Sequence, residues 1–175
     1  MTVLAQIIGI IAMVFNILSY QGKKQKSVIA LQLVGCTLFC LNYLLLGATV
    51  GGLLNIIGTV RSVVFLFKDK IKADRPIFAV LFSIAFFSVY ILNFFVFGKE
   101  ITAKNLIIEL LPVFASILLT LSYRLKSAAK IRLCGLISSP AWLTYNITVG
   151  SIGAIICEVL TLSSIIIGII RHDKK

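Results

Sequence analysis

TVGGLLNIIGTVR, residues 49–61, and TVGSIGAIICEVL, residues 148–160, open on the same three letters, and each carries one charge through an apolar run, Arg61 in the first and Glu158 in the second. Laid side by side they match Thr49 with Thr148, Val50 with Val149, Gly51 with Gly150, Ile56 with Ile155, Ile57 with Ile156 and Val60 with Val159. Upstream, Leu18-Ser19-Tyr20 matches Leu121-Ser122-Tyr123, each just ahead of a basic loop. The two offsets differ by four residues, about one helical turn, which places an indel around the loop of the second copy. Internal similarity of this kind points to a duplicated unit and has to be sought before a fold is named.

The surrounding composition says what kind of unit. With 59 % hydrophobic residues, 13 % charged residues and a mean hydropathy of +1.07, the chain lies far outside the range of soluble domains. A helix needs roughly 20 apolar residues to cross about 30 Å of hydrocarbon. The breaks in the sequence then predict spans at 3–20, 28–46, 50–67, 76–97, 105–123, 131–147 and 151–170, in one polytopic domain over 1–175. Backbone groups in lipid must bond within their own segment, so the spans are expected to be helices. The turns GATVGG and NITVGS are short enough to make the flanking spans antiparallel neighbours. The first span has neither a positive leader nor a small-residue cleavage site and is expected to be kept as a helix.

Charge orients the spans, because short loops rich in Lys and Arg stay in the cytoplasm. One side gathers Lys23, Lys24 and Lys26, then Lys68, Lys70, Lys72 and Arg75, then Arg124, Lys126, Lys130 and Arg132, and finally Arg171, Lys174 and Lys175. The other has Lys99 and Lys104. An odd number of spans puts the N-terminus outside and the C-terminus in the cytoplasm. The net charge of +11 follows from this topology and attracts anionic headgroups; no nucleic-acid partner is expected.

Each copy takes three spans, repeat one over 3–67 and repeat two over 105–170, with a linker helix at 76–97 between them. Three is odd, so the linker turns the second repeat to point the same way as the first. The expected fold class is an all-α membrane protein of seven transmembrane helices in a 3+1+3 parallel duplication, an arrangement known among transporters, SWEETs included, with substrate sites near the midplane between the repeats.

The run Glu109-Leu110-Leu111-Pro112-Val113, Trp142 within PAWLTYN, Asn146, and Gly150-Ser151-Ile152-Gly153 followed by Glu158 resemble the YgjV-type bacterial inner-membrane proteins. Leu44-Leu45-Leu46-Gly47 and Arg61 fit the same pattern. The resemblance implies a bacterial cytoplasmic membrane. The architecture is also similar to SWEET and PQ-loop transporters, although the proline-glutamine pair of that motif is absent and LSYQGKKQKS matches it only loosely.

Ionisable groups inside spans are costly and mark functional candidates. Glu158 stands eight residues past Gly150, on the order of 12 Å deep at about 1.5 Å per residue, so it needs a partner, a proton or water. Arg61 either snorkels to the headgroups past Lys68 or pairs with Glu158 or brackets a solute with it. Strict alignment sets Glu158 against Thr59, and the two-residue step to Arg61 rotates about 200°, turning the charges to different faces. Glu109, matched to Gln6, is expected near the outer end as an interfacial or gate residue. Gly9 and Pro112, at matched positions of the first and fifth spans, are hinge candidates. Asn16, Asn42, Asn55, Asn93, Tyr145 and Asn146 offer polar contacts, and Trp142, matched to Tyr43, an aromatic face. Amides beside aromatic faces suit a small polar solute, while Trp and Tyr near span ends also serve as interfacial belts.

Cys36, Cys40, Cys134 and Cys157 fall within spans and read as packing residues; His172 lies in the terminal tail. No cofactor or metal is expected, because the spans hold no histidine cluster of ligand spacing. A hydrolase would want clustered acid-base groups, and nucleotide-driven transport a phosphate loop; neither is present, so no enzyme is expected. Two readings remain: a facilitator or ion-coupled carrier of a small polar solute, or a non-transporting membrane scaffold associating through small residues such as Gly150, Ser151 and Gly153. Lipid is the expected partner in either case. Solute and oligomeric state stay open.

Overall fold

Apolar runs bounded by glycine, proline and basic clusters become helices throughout the computed structural model, which describes residues 2–125, 127–149 and 152–173. Lys126, Gly150, Ser151, Lys174 and Lys175, which carry parts of the repeat match, the small-residue face and the basic loops, lie outside the described residues. Those described form eight helices and no strand: α1 Thr2–Ser19, α2 Gln25–Leu45, α3 Thr49–Leu66, α4 Lys68–Ile71, α5 Pro76–Phe95, α6 Ala103–Arg124, α7 Ala128–Val149 and α8 Ile152–His172. Helix starts follow local chemistry. Pro76 takes the first turn of α5, where its missing N–H costs nothing, and the Thr102 hydroxyl caps α6 by accepting from the Asn105 amide at 3.2 Å.

Among the described residues, five helices are long and apolar enough to cross a membrane: α2, α3, α5, α6 and α8. α1 is apolar but short over Val3–Ser19. α7 has the length, yet Arg132, Ser138, Ser139 and Asn146, all buried, dilute its apolar character. The short α4, KDKI, was not foreseen; it lies in a basic loop with no apolar period to announce it, and a left-handed Lys72 at φ 56° closes it. α2 starts at Gln25 rather than 28, α7 at Ala128 rather than 131, and α5 ends at Phe95 rather than 97.

Polarity is inverted relative to a water-soluble bundle. Ile84, Ile107 and Leu133 point outward and are more than half exposed, at 58 %, 63 % and 57 %, whereas Arg61, Arg132, Asn93, Glu109 and Asn146 are buried. Lipid as the outer solvent accounts for both halves of that pattern.

Chain neighbours are space neighbours. α1 packs on α2, α2 on α3, α6 on α7 and α7 on α8, while α8 also meets α1 and α3 meets α6. These six close a ring, with α2 touching α7 across its middle and α5 lying outside against α3 and α6. One apolar core gathers Tyr20, Ile29, Phe65, Tyr123, Ile131 and Ile165 where the basic loops converge. A second, of Leu54, Phe86, Val89 and Val113, fills the seam that α5 covers.

Candidate functional site

The ring leaves a cavity of about 90 Å³ at its centre. All six ring helices line it and α5 contributes nothing: Asn16 and Tyr20 come from α1, Cys36 and Tyr43 from α2, Asn55 and Arg61 from α3, Ser116 and Tyr123 from α6, Ser139 and Trp142 from α7, and Glu158 and Thr161 from α8. The space takes several waters or a solute of similar bulk.

Arg61 does not snorkel. It is 3 % exposed, and its guanidinium turns across the ring to α6, where Nη1 donates to the Ser116 carbonyl at 3.0 Å and to the Thr120 hydroxyl at 3.4 Å. The guanidinium carbon stands 4.8 Å from the Tyr123 ring centre and 5.6 Å from that of Phe86, a cation over two aromatic faces. Nε has no hydrogen-bond partner among the described residues. The accepting carbonyl and hydroxyl stand one helical turn apart on α6.

Glu158 faces the same cavity from α8, and the Ser139 hydroxyl of α7 donates to its Oε2. Alignment alone turned Arg61 away from Glu158; the length of the arginine brings its charge back to the shared space. The two charges are nonetheless not an ion pair. Among the described residues the contacts within 4.0 Å are Lys26–Asp69, Lys99–Glu109 and Arg132–Asp173.

Of the other candidates, Asn16, Asn55 and Trp142 line the cavity. Asn16 Nδ2 donates to the Thr161 hydroxyl at 3.5 Å, Asn55 to its own helix at the Gly51 carbonyl, and Trp142 stands edge-on to Tyr145. Asn42, Asn93, Glu109, Tyr145 and Asn146 are not in the lining. Asn42 ties α2 to α1 through the Ala5 carbonyl at 2.7 Å, and Asn146 accepts from the Tyr43 hydroxyl at 3.3 Å where α2 crosses α7. Glu109 pairs with Lys99 at 3.1 Å, away from the basic loops, and the Asn93 carbonyl accepts from the Lys99 amide at 3.0 Å. Gly9 sits where an added Cβ would meet Asn42 Nδ2 at 2.8 Å, and Pro112 is buried inside an unbroken α6.

Sequence reading passed over Tyr20, Tyr123 and Ser139 as site residues. The tyrosines were visible in the Leu-Ser-Tyr match, and the Ser138-Ser139 pair stood out within an apolar run.

It also passed over two clamps where the basic loops converge. Arg132, 1 % exposed, grips the Asp173 carboxylate in a fork, Nε to Oδ2 at 2.8 Å and Nη2 to Oδ1 at 2.7 Å. Its Nη1 donates to the carbonyls of Tyr20 at 3.0 Å and Gly22 at 2.9 Å, capping the end of α1. Gly168 of α8 leaves room for this, since a Cβ there would stand 2.5 Å from the Tyr20 oxygen. Across the ring, Lys68 Nζ donates to the carbonyls of Tyr123 at 3.1 Å and Leu125 at 3.3 Å, and Gln25 reaches the same two oxygens while accepting from Lys68. Tyr20 and Gly22 fall in register with Tyr123 and Leu125 under the Leu-Ser-Tyr match. Hydrogen bonds from Arg132 hold the Asp173 carboxyl below the usual aspartate range.

With this geometry in place, the family described as bacterial inner membrane protein, Imp-YgjV, matches residues 3–175. No curated protein and no solved structure matches the chain.

Proposed function

Because the chain belongs to the Imp-YgjV family of bacterial inner membrane proteins, we propose that it is a facilitator or ion-coupled carrier of a small polar solute, and not an enzyme. The carrying observation is the central cavity, lined by six helices and bearing one buried arginine and one glutamate that do not pair with each other. Charges inside spans are expensive in lipid, and a scaffold has no need to hold two of them around a cavity.

In this reading the helices α1–α3 and α6–α8 are the two repeats of a 3+1+3 parallel arrangement, α5 is the linker, and α1 and α7 span despite their length and polarity. Packing supports it. A twofold relation along the membrane normal exchanges α1 with α6, α2 with α7 and α3 with α8, so it maps the α1–α8 contact onto α6–α3, and both contacts occur. The clamps support it as well, since each half caps the matched carbonyls of the other. The basic ends face the cytoplasm, with the N-terminus outside, and the clamps then form the cytoplasmic gate that must part when the carrier opens inward. For the scaffold alternative, Gly153 offers little outward surface: a Cβ there would meet Gln6 of α1 in the same chain at 3.3 Å.

Uptake into liposomes tests the proposal. Purified protein should admit a solute from a panel of small metabolites, and Glu158→Gln should reduce that uptake at unchanged expression and oligomeric size. Equal flux with and without protein across the panel rejects the carrier.

A further inference from the structure

The charges on the cavity wall say more than that the solute is polar. We infer that the solute is a small zwitterion, a molecule with a carboxylate and an ammonium separated by one or a few carbons, its anionic end on Arg61 and its cationic end on Glu158. The inference rests on the carrier reading and narrows it.

Arg61 brings a permanent positive charge to the cavity; the Tyr123 and Phe86 rings face it, but no carboxylate among the described residues meets it. One nitrogen is bonded to Ser116 and Thr120 of α6, while Nε, buried, has no partner among the described residues. A planar guanidinium with donors to spare suits a carboxylate, which it can hold through two parallel hydrogen bonds. Glu158 is fastened at one oxygen by Ser139. Its other oxygen is an acceptor for an ammonium. Trp142 and Tyr43 also line the cavity and offer aromatic faces that favour a cation.

Charge balance discriminates among solutes. Among the described residues, Arg61 and Glu158 are the only Lys, Arg, Asp or Glu on the lining. A neutral polyol leaves both charges uncompensated in a desolvated space. A simple anion answers Arg61 but meets the glutamate, and a simple cation does the reverse. A molecule with both charges answers both walls and leaves the occupied cavity neutral, which is what a low-dielectric site favours. Size bounds the rest: about 90 Å³ suits roughly half a dozen non-hydrogen atoms at about 15 Å³ of such space per water-sized group.

The test uses the protein in detergent and in liposomes, with four probes of similar size: alanine, propionate, alanine amide and glycerol. Alanine should raise the apparent melting temperature by mass action and enter the liposomes. Propionate and alanine amide, each lacking one charge, should bind at least tenfold more weakly, and glycerol should do nothing. Arg61→Gln and Glu158→Gln should each weaken alanine binding tenfold or more. If glycerol or a singly charged probe is taken up as well as alanine, the carrier stands and the zwitterion is overturned. If none of the four binds or enters while a larger neutral metabolite does, the zwitterion again fails and the carrier does not. If no probe and no metabolite moves, both fall. The comparison of probes on the unaltered chain decides the matter even where a variant fails to fold.

Discussion

Two arginines are buried almost equally, Arg61 at 3 % and Arg132 at 1 % exposed, and the chain treats them in opposite ways. Arg132 has a carboxylate gripped by two of its nitrogens and two backbone carbonyls on the third. Arg61 has one nitrogen engaged, one idle, and a glutamate on the same cavity that it does not meet. A buried charge whose donors are all taken is a fastening, because any departure leaves it uncompensated. A buried charge with donors in reserve, next to an open space, is placed to receive something.

The sharpest way to break that comparison is to remove each charge and measure stability. Arg132→Ala should cost about 3–5 kcal/mol, the range for stripping one partner from a buried ion pair, read by titration with a denaturing detergent. Asp173→Asn should come next, at about 1.5–3 kcal/mol, the worth of hydrogen bonds to a charged group.

This second effect depends on pH. The folded carboxyl lies below the ordinary aspartate range, so its contribution is complete above the unfolded value of about 3.9 and fades as pH falls through the lower folded value. The original and Asp173→Asn should therefore differ at pH 7 and converge in acid. A gap that stays constant from pH 7 down to strong acid would mean the carboxylate charge is not what holds the clamp.

Gly168→Ala should cost about 1–3 kcal/mol through overpacking, because the new Cβ would stand 2.5 Å from the Tyr20 oxygen and 2.9 Å from Arg132 Cδ. Last, Arg61→Gln, which gives up charged hydrogen bonds to Ser116 and Thr120 but breaks no ion pair, should cost no more than about 1.5–3 kcal/mol, while abolishing most solute binding. If Arg61→Gln destabilises as much as Arg132→Ala, both arginines are fastenings and the distinction collapses.

Much of this was open to reading from the letters alone, but unevenly. Apolar runs located the seven long helices to within a few residues, because lipid permits one kind of backbone. The same signal was blind to α4, whose four residues sit in a charged loop. Arg61 and Glu158 stood out because a charge inside an apolar run is costly wherever it points. Arg132, Lys68 and Asp173 were hidden by that same logic: beside so many basic residues they read as markers of topology, and Asp173 meets Arg132 through a contact 41 positions distant in sequence. Whether Arg61 turns toward Glu158 was not legible, because alignment fixes where a Cα lies and says nothing of where a long stem ends.

The separation of Arg132 from Asp173 has a consequence for how the protein is made. A ribosome adding about 5–20 residues per second reaches Asp173 roughly 2–8 s after Arg132, 41 residues earlier. For that interval α7 carries a cation whose carboxylate has not been synthesised, so its N-terminal end must stay at the aqueous surface while α8 is built. Final assembly is thereby timed to the last helix, and a chain stalled before Asp173 keeps this end of α7 unfastened.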